Sequence, residues 1–329
     1  MENAIKSRLQ SVQFGEVRVY KGVAIVPLVA QADGVFQYHT LGEALAASNL
    51  AVTEISTAGS VPELMVVNRG DRPVLLVDGK ELAGSKQNRV LNTSILVKEV
   101  SETKIPVSCT EQGRWSYSSK FFVDSGHIMA HKSRSSKSRS VFRSLQSSGQ
   151  HQSDQGEVWA EIAELQAKAG ARSPTSAMRD VFEARANDLR KCEEIFTSVP
   201  NQVGLLTFIG GMPAGADLVS SMSAYTRLHP KLVRSYALEG LLEANQETRS
   251  TEDIVSEGRR FLDEIMAAEE RQFASIGHGT DFRFHGKNLA GSALVHENEV
   301  IHAAFFRLNE SEHENHMASL RQGRRHSSM

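Results

Sequence analysis

Short apolar runs separated by turn residues dominate the first part of the chain, and they constrain the fold more than any other feature. Examples are VAIVPLV over 23–29 and ELMVVN over 63–68. Runs of this length rich in Val, Ile and Leu predict β-strands. They are too short and too irregularly spaced for a parallel sheet with crossover helices, so residues 1–129 predict a mostly antiparallel sheet or sandwich. Within this part, Thr40 and Glu43 form a capping-box pattern that predicts one short helix.

The pattern changes after this β-rich part. Residues 130–156 are rich in Ser, Gln, Lys and Arg and poor in apolar residues, which predicts a flexible loop or linker. From 157 to 309, apolar residues follow helical spacing and then return to strand-like runs such as VIHAAFFRL. The last residues, 310–329, are polar and predict a disordered tail. We therefore predict an α+β fold in which 157–309 pack with the first part as one globular unit.

Composition disfavours several classes of protein. The chain has 329 residues, with 37 Lys and Arg against 39 Asp and Glu, and this balance disfavours a protein whose main role is to coat nucleic acid. No apolar run approaches the ~20 residues that a membrane-spanning helix needs. The first residues contain no signal-peptide core. Two cysteines cannot build a disulfide framework, which favours a reducing compartment. Together with the missing membrane and signal segments, this leads us to expect a cytoplasmic protein that does not bind membranes.

The densest group of functional side chains lies in DGKELAGSKQNRVLNTSILV, residues 78–97. Its polar members stand between two apolar runs and are Glu81, Lys86, Gln87, Asn88, Arg89 and Asn92. Lysine and arginine suit a phosphate or a carboxylate, and the amides can donate and accept hydrogen bonds, as recognition of a ribose or a base requires. The alternative is a strand-connecting loop whose polar groups satisfy its own backbone.

A second segment, IPVSCTEQGRWSY, combines candidate catalytic and binding residues. Cys109 is a candidate nucleophile and Glu111 a candidate acid or base, although no histidine lies nearby to activate the thiol. Arg114 would bind a phosphate and Trp115 would stack on a base. The alternatives are a buried structural cysteine and a tryptophan of the core.

A glycine-rich segment, GGMPAGADLVSS, follows an apolar run at residues 210–221. Such a turn can present backbone N–H groups to an anion, but no GK[ST] follows, so it is not a phosphate-binding loop. Asp217 within it either binds a ligand or caps a helix. The chain has no HExxH motif and no cysteine pair at metal-ligand spacing, so we predict no metal site and no cofactor.

Three of these segments together resemble the ARG and rhodanese-phosphatase-superfamily-associated protein domain family. The resemblance rests on VDGKELAGSKQNRVLNTSILV, IPVSCTEQGRW and GADLVSS…HPKLVRSYALEGL, and it extends from Tyr20 to Leu308. The family is named for association with ADP-ribosylglycohydrolase and rhodanese-phosphatase domains, which implies a role with NAD- or ADP-ribose-derived nucleotides. The matching motif positions are Glu81, Lys86, Gln87, Asn88, Arg89, Asn92, Cys109, Glu111, Arg114, Trp115 and Asp217.

Two functions follow from these residues. The first is an enzyme or sensor of a phosphorylated nucleotide of the ADP-ribose class, in which Glu81, Glu111 or Cys109 would carry hydrolysis of a glycosidic or phosphoester bond. The second is a non-catalytic module that docks onto a partner such as an ADP-ribosylglycohydrolase-type enzyme. RNA binding through the basic run over 132–143 is a third alternative, which the overall charge disfavours. The first hypothesis requires that residues from both polar segments line one cleft.

Overall fold

A computed structural model describes residues 2–56, 59–243 and 247–308, so the predicted tail over 310–329 lies outside the described residues. The helices in these ranges are α1 (Asn3–Ser11), α2 (Leu41–Ala46), α3 (His131–Ser148), α4 (Gln155–Ala169), α5 (Met178–Ala184), α6 (Ala186–Ile195), α7 (Met222–Leu242) and α8 (Thr251–Ala267). The strands are β1 (Gln13–Phe14), β2 (Arg18–Tyr20), β3 (Val23–Val29), β4 (His39–Thr40), β5 (Leu50–Glu54), β6 (Glu63–Asn68), β7 (Val74–Leu76), β8 (Lys80–Gly84), β9 (Arg89–Leu91), β10 (Ile95–Val97), β11 (Ser101–Cys109), β12 (Phe122–Ile128), β13 (Gln202–Ile209), β14 (Met212–Val219), β15 (Glu269–Ala274), β16 (Thr280–Gly286), β17 (Leu289–His296) and β18 (Glu299–Arg307).

These strands form three sheets with mainly antiparallel pairing. The largest has the order β1-β3-β13-β14-β18-β17-β16-β15, with β2 also paired to β3. The second has the order β12-β8-β9-β11-β6-β5, and a small third sheet has the order β10-β7-β4, in which β4 and β7 are parallel. The predicted α+β class, with antiparallel strands followed by helices and closing strands, is confirmed.

The largest sheet contains strands from both ends of the chain. β3 pairs with β13 along its whole length, from Val23 opposite Ile209 to Val29 opposite Gln202. Alternate residues of β3 enter different cores, because successive side chains of a strand point to opposite faces. Val23 packs in the core that contains α7, whereas Val26 packs in the core that contains α1 and α8. Helices therefore cover both faces of this sheet.

The Ser- and Arg-rich stretch forms helix α3, so the predicted flexible loop over 130–156 is wrong. Two cations of this helix are fully enclosed and are neutralised by acids from other elements. Arg134 donates to Asp217 on β14, and Lys137 donates to Asp78, which precedes β8. The stretch has the composition of a solvated loop because its acidic partners lie far away in the sequence.

The same contacts argue against the RNA-binding alternative. Arg134 and Lys137 are 0% and 1% exposed, so they cannot contact a nucleic acid. Lys132 and Arg143 form ion pairs with glutamates. Most cations of the run over 132–143 are thus compensated within the protein, and the run does not form the continuous basic surface that RNA binding through it requires.

Candidate functional site

Antiparallel pairing brings the two polar segments together. β8 and β9 form a hairpin whose turn contains residues 85–88, and β9 pairs with β11 so that Arg89 lies opposite Cys109. The Thr110 N–H then donates to the Asn88 carbonyl at 3.0 Å, which continues the pairing past the end of β11. The residues that follow Cys109 therefore lie beside the hairpin turn.

These segments and the chain just before α5 enclose an open cleft of about 610 Å³, which we call the Asn88 cleft. Its polar lining includes Asn88, Glu111, Arg114, Thr175, Arg179 and Asp180. The first three are site residues predicted from the sequence. Asn88 accepts the Gly84 N–H with its Oδ1 at 3.1 Å, and its Nδ2 has no hydrogen-bond partner within the described ranges. This amide nitrogen is a buried donor without an acceptor in that part of the chain, so a ligand meets it only if the cleft opens further.

Glu111 carries negative charge in the cleft. Its Oε2 accepts from Arg114 Nη2 at 2.5 Å and from the Asn88 N–H at 3.2 Å, and its Oε1 accepts from Thr175 Oγ1 at 2.9 Å. Burial alone would raise the pKa of Glu111, but the hydrogen bonds from Arg114 and Thr175 outweigh burial and hold this pKa below its usual range. Glu111 is consequently an ionised acceptor at neutral pH.

Arg114 fixes the loop that forms one wall of the cleft. Its Nη1 donates to the carbonyls of Ser85 at 2.7 Å and Ser116 at 2.9 Å, while its Nη2 donates to Glu111. It thereby ties the hairpin turn to the loop that follows β11. The more accessible cation of the lining is Arg179, whose side chain is 46% exposed.

Glu81 lies behind the cleft and is fully buried. Its Oε1 accepts a hydrogen bond from Thr110 Oγ1 at 2.8 Å, and Thr110 directly precedes Glu111 in the chain. Burial raises the pKa of Glu81 to about 7, although the hydrogen bond from Thr110 acts in the opposite direction. Two carboxyl groups near one hairpin thus differ in protonation, which is typical of an acid and a base with separate roles.

Arg89, Gln87 and Cys109 form a buried chain of contacts. Arg89 Nη1 donates to Gln87 Oε1 at 2.8 Å, and the Cys109 thiol donates to the same oxygen at 3.0 Å. Burial raises the pKa of this thiol, and a protonated, enclosed thiol is a weak nucleophile. The Arg89 guanidinium and the Lys86 ammonium lie 5.6 Å and 5.3 Å from the centre of the Trp115 ring, which is 49% exposed.

Of the eleven site residues predicted from the sequence, Asn88, Glu111 and Arg114 line the cleft and the other eight do not, Asn92 and Asp217 among them. Asn92 donates to the His151 carbonyl at 3.1 Å and accepts from Ser108 Oγ at 2.8 Å. Asp217 accepts hydrogen bonds from both terminal nitrogens of Arg134 and is fully buried. Both side chains bind protein groups in the interior.

Thr175, Arg179 and Asp180 are lining residues that were not predicted from the sequence. Backbone contacts hold their segment against the loop, with Gly113 N–H donating to the Thr175 carbonyl at 2.8 Å and Met178 N–H donating to the Thr110 carbonyl at 2.8 Å. The sequence signals a turn here through Pro174 but carries no sign that this turn neighbours Glu111.

The described ranges contain no group of three or more His, Cys, Asp or Glu residues suited to hold a metal ion. They also contain no helix with the length and apolar character needed to cross a membrane.

Comparison with known proteins gives a match at the level of the family. Neither the curated proteins nor the solved structures gave a match. The family model for the ARG and Rhodanese-Phosphatase-superfamily-associated Protein domain, ARPP-1, matches residues 11–306. This span contains both polar segments, the segment before α5 and all the lining of the Asn88 cleft. The resemblance predicted from the sequence motifs is confirmed, and the chain belongs to the ARPP-1 domain family.

Proposed function

We propose that the Asn88 cleft binds a phosphorylated, ribose-containing nucleotide of the NAD and ADP-ribose class. The observation that carries this proposal is the convergence of Asn88, Glu111 and Arg179 on one cleft. Its volume of about 610 Å³ lies within the range of roughly 300–1,000 Å³ that is usual for small-ligand sites. The family name, which refers to ARG and rhodanese-phosphatase proteins, agrees with a ligand of this class.

Each polar group of the cleft suits a different part of such a ligand. Arg179 supplies a cation for a phosphate, as charge-assisted hydrogen bonds to phosphate oxygens are strong. The buried Nδ2 of Asn88 can donate to a ribose oxygen if the cleft opens to admit it. Glu111 Oε1 accepts from Thr175 and retains a lone pair for a ribose hydroxyl. An anionic acceptor beside a cation thus matches a sugar phosphate better than it matches an apolar ligand.

Binding is the primary activity in this proposal, and hydrolysis is a second step that depends on Glu81. With a pKa of about 7, Glu81 can donate a proton at neutral pH while Glu111 remains ionised. Glu81 is, however, enclosed behind the cleft, so it reaches a ligand only if the cleft rearranges. A sensor that binds without turnover requires no such rearrangement.

Isothermal titration calorimetry with ADP-ribose, NAD and ribose 5-phosphate tests the proposal. We expect the wild-type protein to bind ADP-ribose and Arg179→Ala to bind it roughly 10- to 100-fold more weakly, the loss of one hydrogen bond to a charged group. Arg190→Ala, which removes an exposed arginine of α6, is the matched control and should bind like the wild type.

Two results would contradict this function: no binding of any of the three ligands, or equal affinities for the wild type and Arg179→Ala. Product analysis by liquid chromatography after incubation with each ligand separates an enzyme from a sensor. Turnover that Glu81→Gln abolishes, with ligand affinity retained, would assign the enzyme.

A second candidate function, a protein-docking module, is favoured by an exposed apolar patch. Trp115, Tyr117, Phe121 and Val123 are 49%, 54%, 47% and 58% exposed and follow one another closely in the chain. Exposed aromatic groups of this kind are common at protein interfaces. Affinity purification from cells, with Phe121→Ser as the comparison, tests it: a stoichiometric partner that this variant loses would favour docking.

A further inference from the structure

A second cleft lies on the other side of the loop that walls the Asn88 cleft. It has a volume of about 660 Å³ and is lined by Thr53, Glu54, Ser56, Tyr117, Ser118, Ser119 and Lys120. We call it the Glu54 cleft. Ser118 and Ser119 line both clefts, so one short wall separates them. The two clefts are therefore adjacent.

The chemistry of the Glu54 cleft is set by one carboxylate. Glu54 is the last residue of β5, and both of its carboxylate oxygens are buried without a hydrogen-bond partner within the described ranges. A buried carboxylate without hydrogen-bond donors is destabilising, and the attraction between Glu54 and the Arg89 guanidinium offsets part of this cost. Glu54 therefore suits a ligand that brings two donors, such as the adjacent hydroxyls of a ribose, which reach its oxygens when the side chain turns into the cleft.

The other side chains of the Glu54 cleft suit the remainder of a nucleoside phosphate. The Tyr117 ring is 54% exposed and the Lys86 ammonium lies 5.1 Å from its centre, so the ring offers a base an aromatic surface beside a cation. Lys120 in the same lining supplies a positive charge for a phosphate. A diol acceptor, an aromatic face and a cation are thus present within one cavity.

We propose that the Glu54 cleft is a second subsite, which takes the adenosine end of a dinucleotide-type ligand such as ADP-ribose. Glu54 accepts the ribose hydroxyls, Tyr117 stacks on the base, and the pyrophosphate crosses the wall formed by Ser118 and Ser119. This assignment rests on the proposed function, because it places the phosphorylated ribose of the same ligand in the Asn88 cleft.

Calorimetry with two half-ligands tests this assignment. AMP fits the Glu54 cleft alone, ribose 5-phosphate fits the Asn88 cleft alone, and ADP-ribose fits both. We expect Glu54→Gln to bind ADP-ribose and AMP about tenfold or more weakly than the wild type does, and to bind ribose 5-phosphate with unchanged affinity. Arg179→Ala should bind ADP-ribose and ribose 5-phosphate more weakly than the wild type does, and should bind AMP with unchanged affinity.

Controls separate a lost contact from a lost fold. Glu102→Gln makes the same chemical change at an exposed position of β11, outside both clefts, and should bind like the wild type. Tyr117→Ser is a second substitution in the subsite and changes an exposed side chain. It should also lower the affinity for ADP-ribose and AMP. The thermal unfolding midpoint of each variant shows whether it is folded.

The outcomes distinguish the two proposals. If Glu54→Gln and Tyr117→Ser bind ADP-ribose like the wild type while Arg179→Ala binds it weakly, the second subsite is overturned and the proposed function stands. If the wild-type protein does not bind ADP-ribose, both are overturned. The crossed pattern of half-ligand affinities supports the subsite.

Discussion

Arg134 on α3 donates to both carboxylate oxygens of Asp217 on β14, at 3.0 Å and 2.7 Å, and neither side chain is exposed to solvent. The Tyr236 hydroxyl donates to the same carboxylate at 2.7 Å. The ion pair from Arg134 joins a polar helix to the largest sheet. Because both charges are fully enclosed, each one depends on the other for its stability in the interior.

We predict that removing one partner of this pair destabilises the fold strongly. Arg134→Met leaves the Asp217 carboxylate buried without its counter-ion, which should lower the free energy of unfolding by ~3–5 kcal/mol. The double variant Arg134→Met, Asp217→Leu should be more stable than the single variant, since it removes both charges. Urea unfolding followed by circular dichroism measures both. A single variant as stable as the wild type would show that the pair is not enclosed as described.

The contribution of Glu81 to stability should decline between about pH 4.5 and pH 7. The pKa of Glu81 rises from 4.5 to about 7 on burial, so between these values the folded state binds the proton more tightly than the unfolded state. Its contribution is therefore most favourable below pH 4.5 and is lost as the pH rises through 7. The full effect is on the order of 3 kcal/mol.

Glu81→Gln isolates this contribution, because glutamine remains neutral and can still accept from Thr110. We expect the variant to gain stability relative to the wild type as the pH rises from 4.5 to 8, measured as the difference between their urea unfolding free energies. Glu102→Gln is the exposed control and should show no such trend. A constant difference between Glu81→Gln and wild type at all pH values would refute the raised pKa.

Native trypsin should spare helix α3. The basic run over 132–143 would be cut readily in a flexible loop, whereas a protease requires local unfolding of a buried helix. We expect peptides that span this run to survive brief digestion, as read by mass spectrometry. Ser136→Pro, which breaks the helix from inside, should expose the run to cleavage. Early cleavage of the wild type within 132–143 would restore the flexible-loop prediction.

Both cysteines should resist thiol reagents in the folded protein. Cys109 and Cys192 are buried, and burial raises the pKa of Cys192 to about 11. We expect negligible reaction with Ellman's reagent at pH 7.5 and full reaction in urea. Ser147→Cys, at an exposed position of α3, is the control that should react at once. Fast native labelling that Cys109→Ser abolishes would instead identify Cys109 as a reactive thiol.

Local signals in the sequence were sufficient where the structure depends on neighbouring residues. The pattern of Thr40 and Glu43 predicted a helix, and α2 begins there with a complete capping box. The first hypothesis required the two polar segments to meet in one cleft. They meet around Asn88 and Glu111, but Glu81, Arg89 and Asn92 do not line the cleft. The roles of the side chains in ligand binding remain predictions.

Long-range compensation could not be predicted from the sequence. The composition of their stretch predicts that Arg134 and Lys137 are solvated charges. Their burial in α3 becomes favourable through their distant partners Asp217 and Asp78. In the same way, Thr175 belongs to the cleft because backbone hydrogen bonds hold its turn against the loop after β11. Neither relationship leaves a pattern of spacing or hydropathy in one stretch of chain.

The pairing of β3 with β13 has a consequence for the order in which this chain is completed during synthesis. The backbone groups of β3 that face β13 have no partner there until residues 202–209 have been synthesised, because Val29 lies opposite Gln202 and Val23 opposite Ile209. Contacts this distant in sequence slow folding. The edge of β3 that faces β13 is therefore exposed while the middle of the chain is made, and an exposed strand edge of this kind favours aggregation.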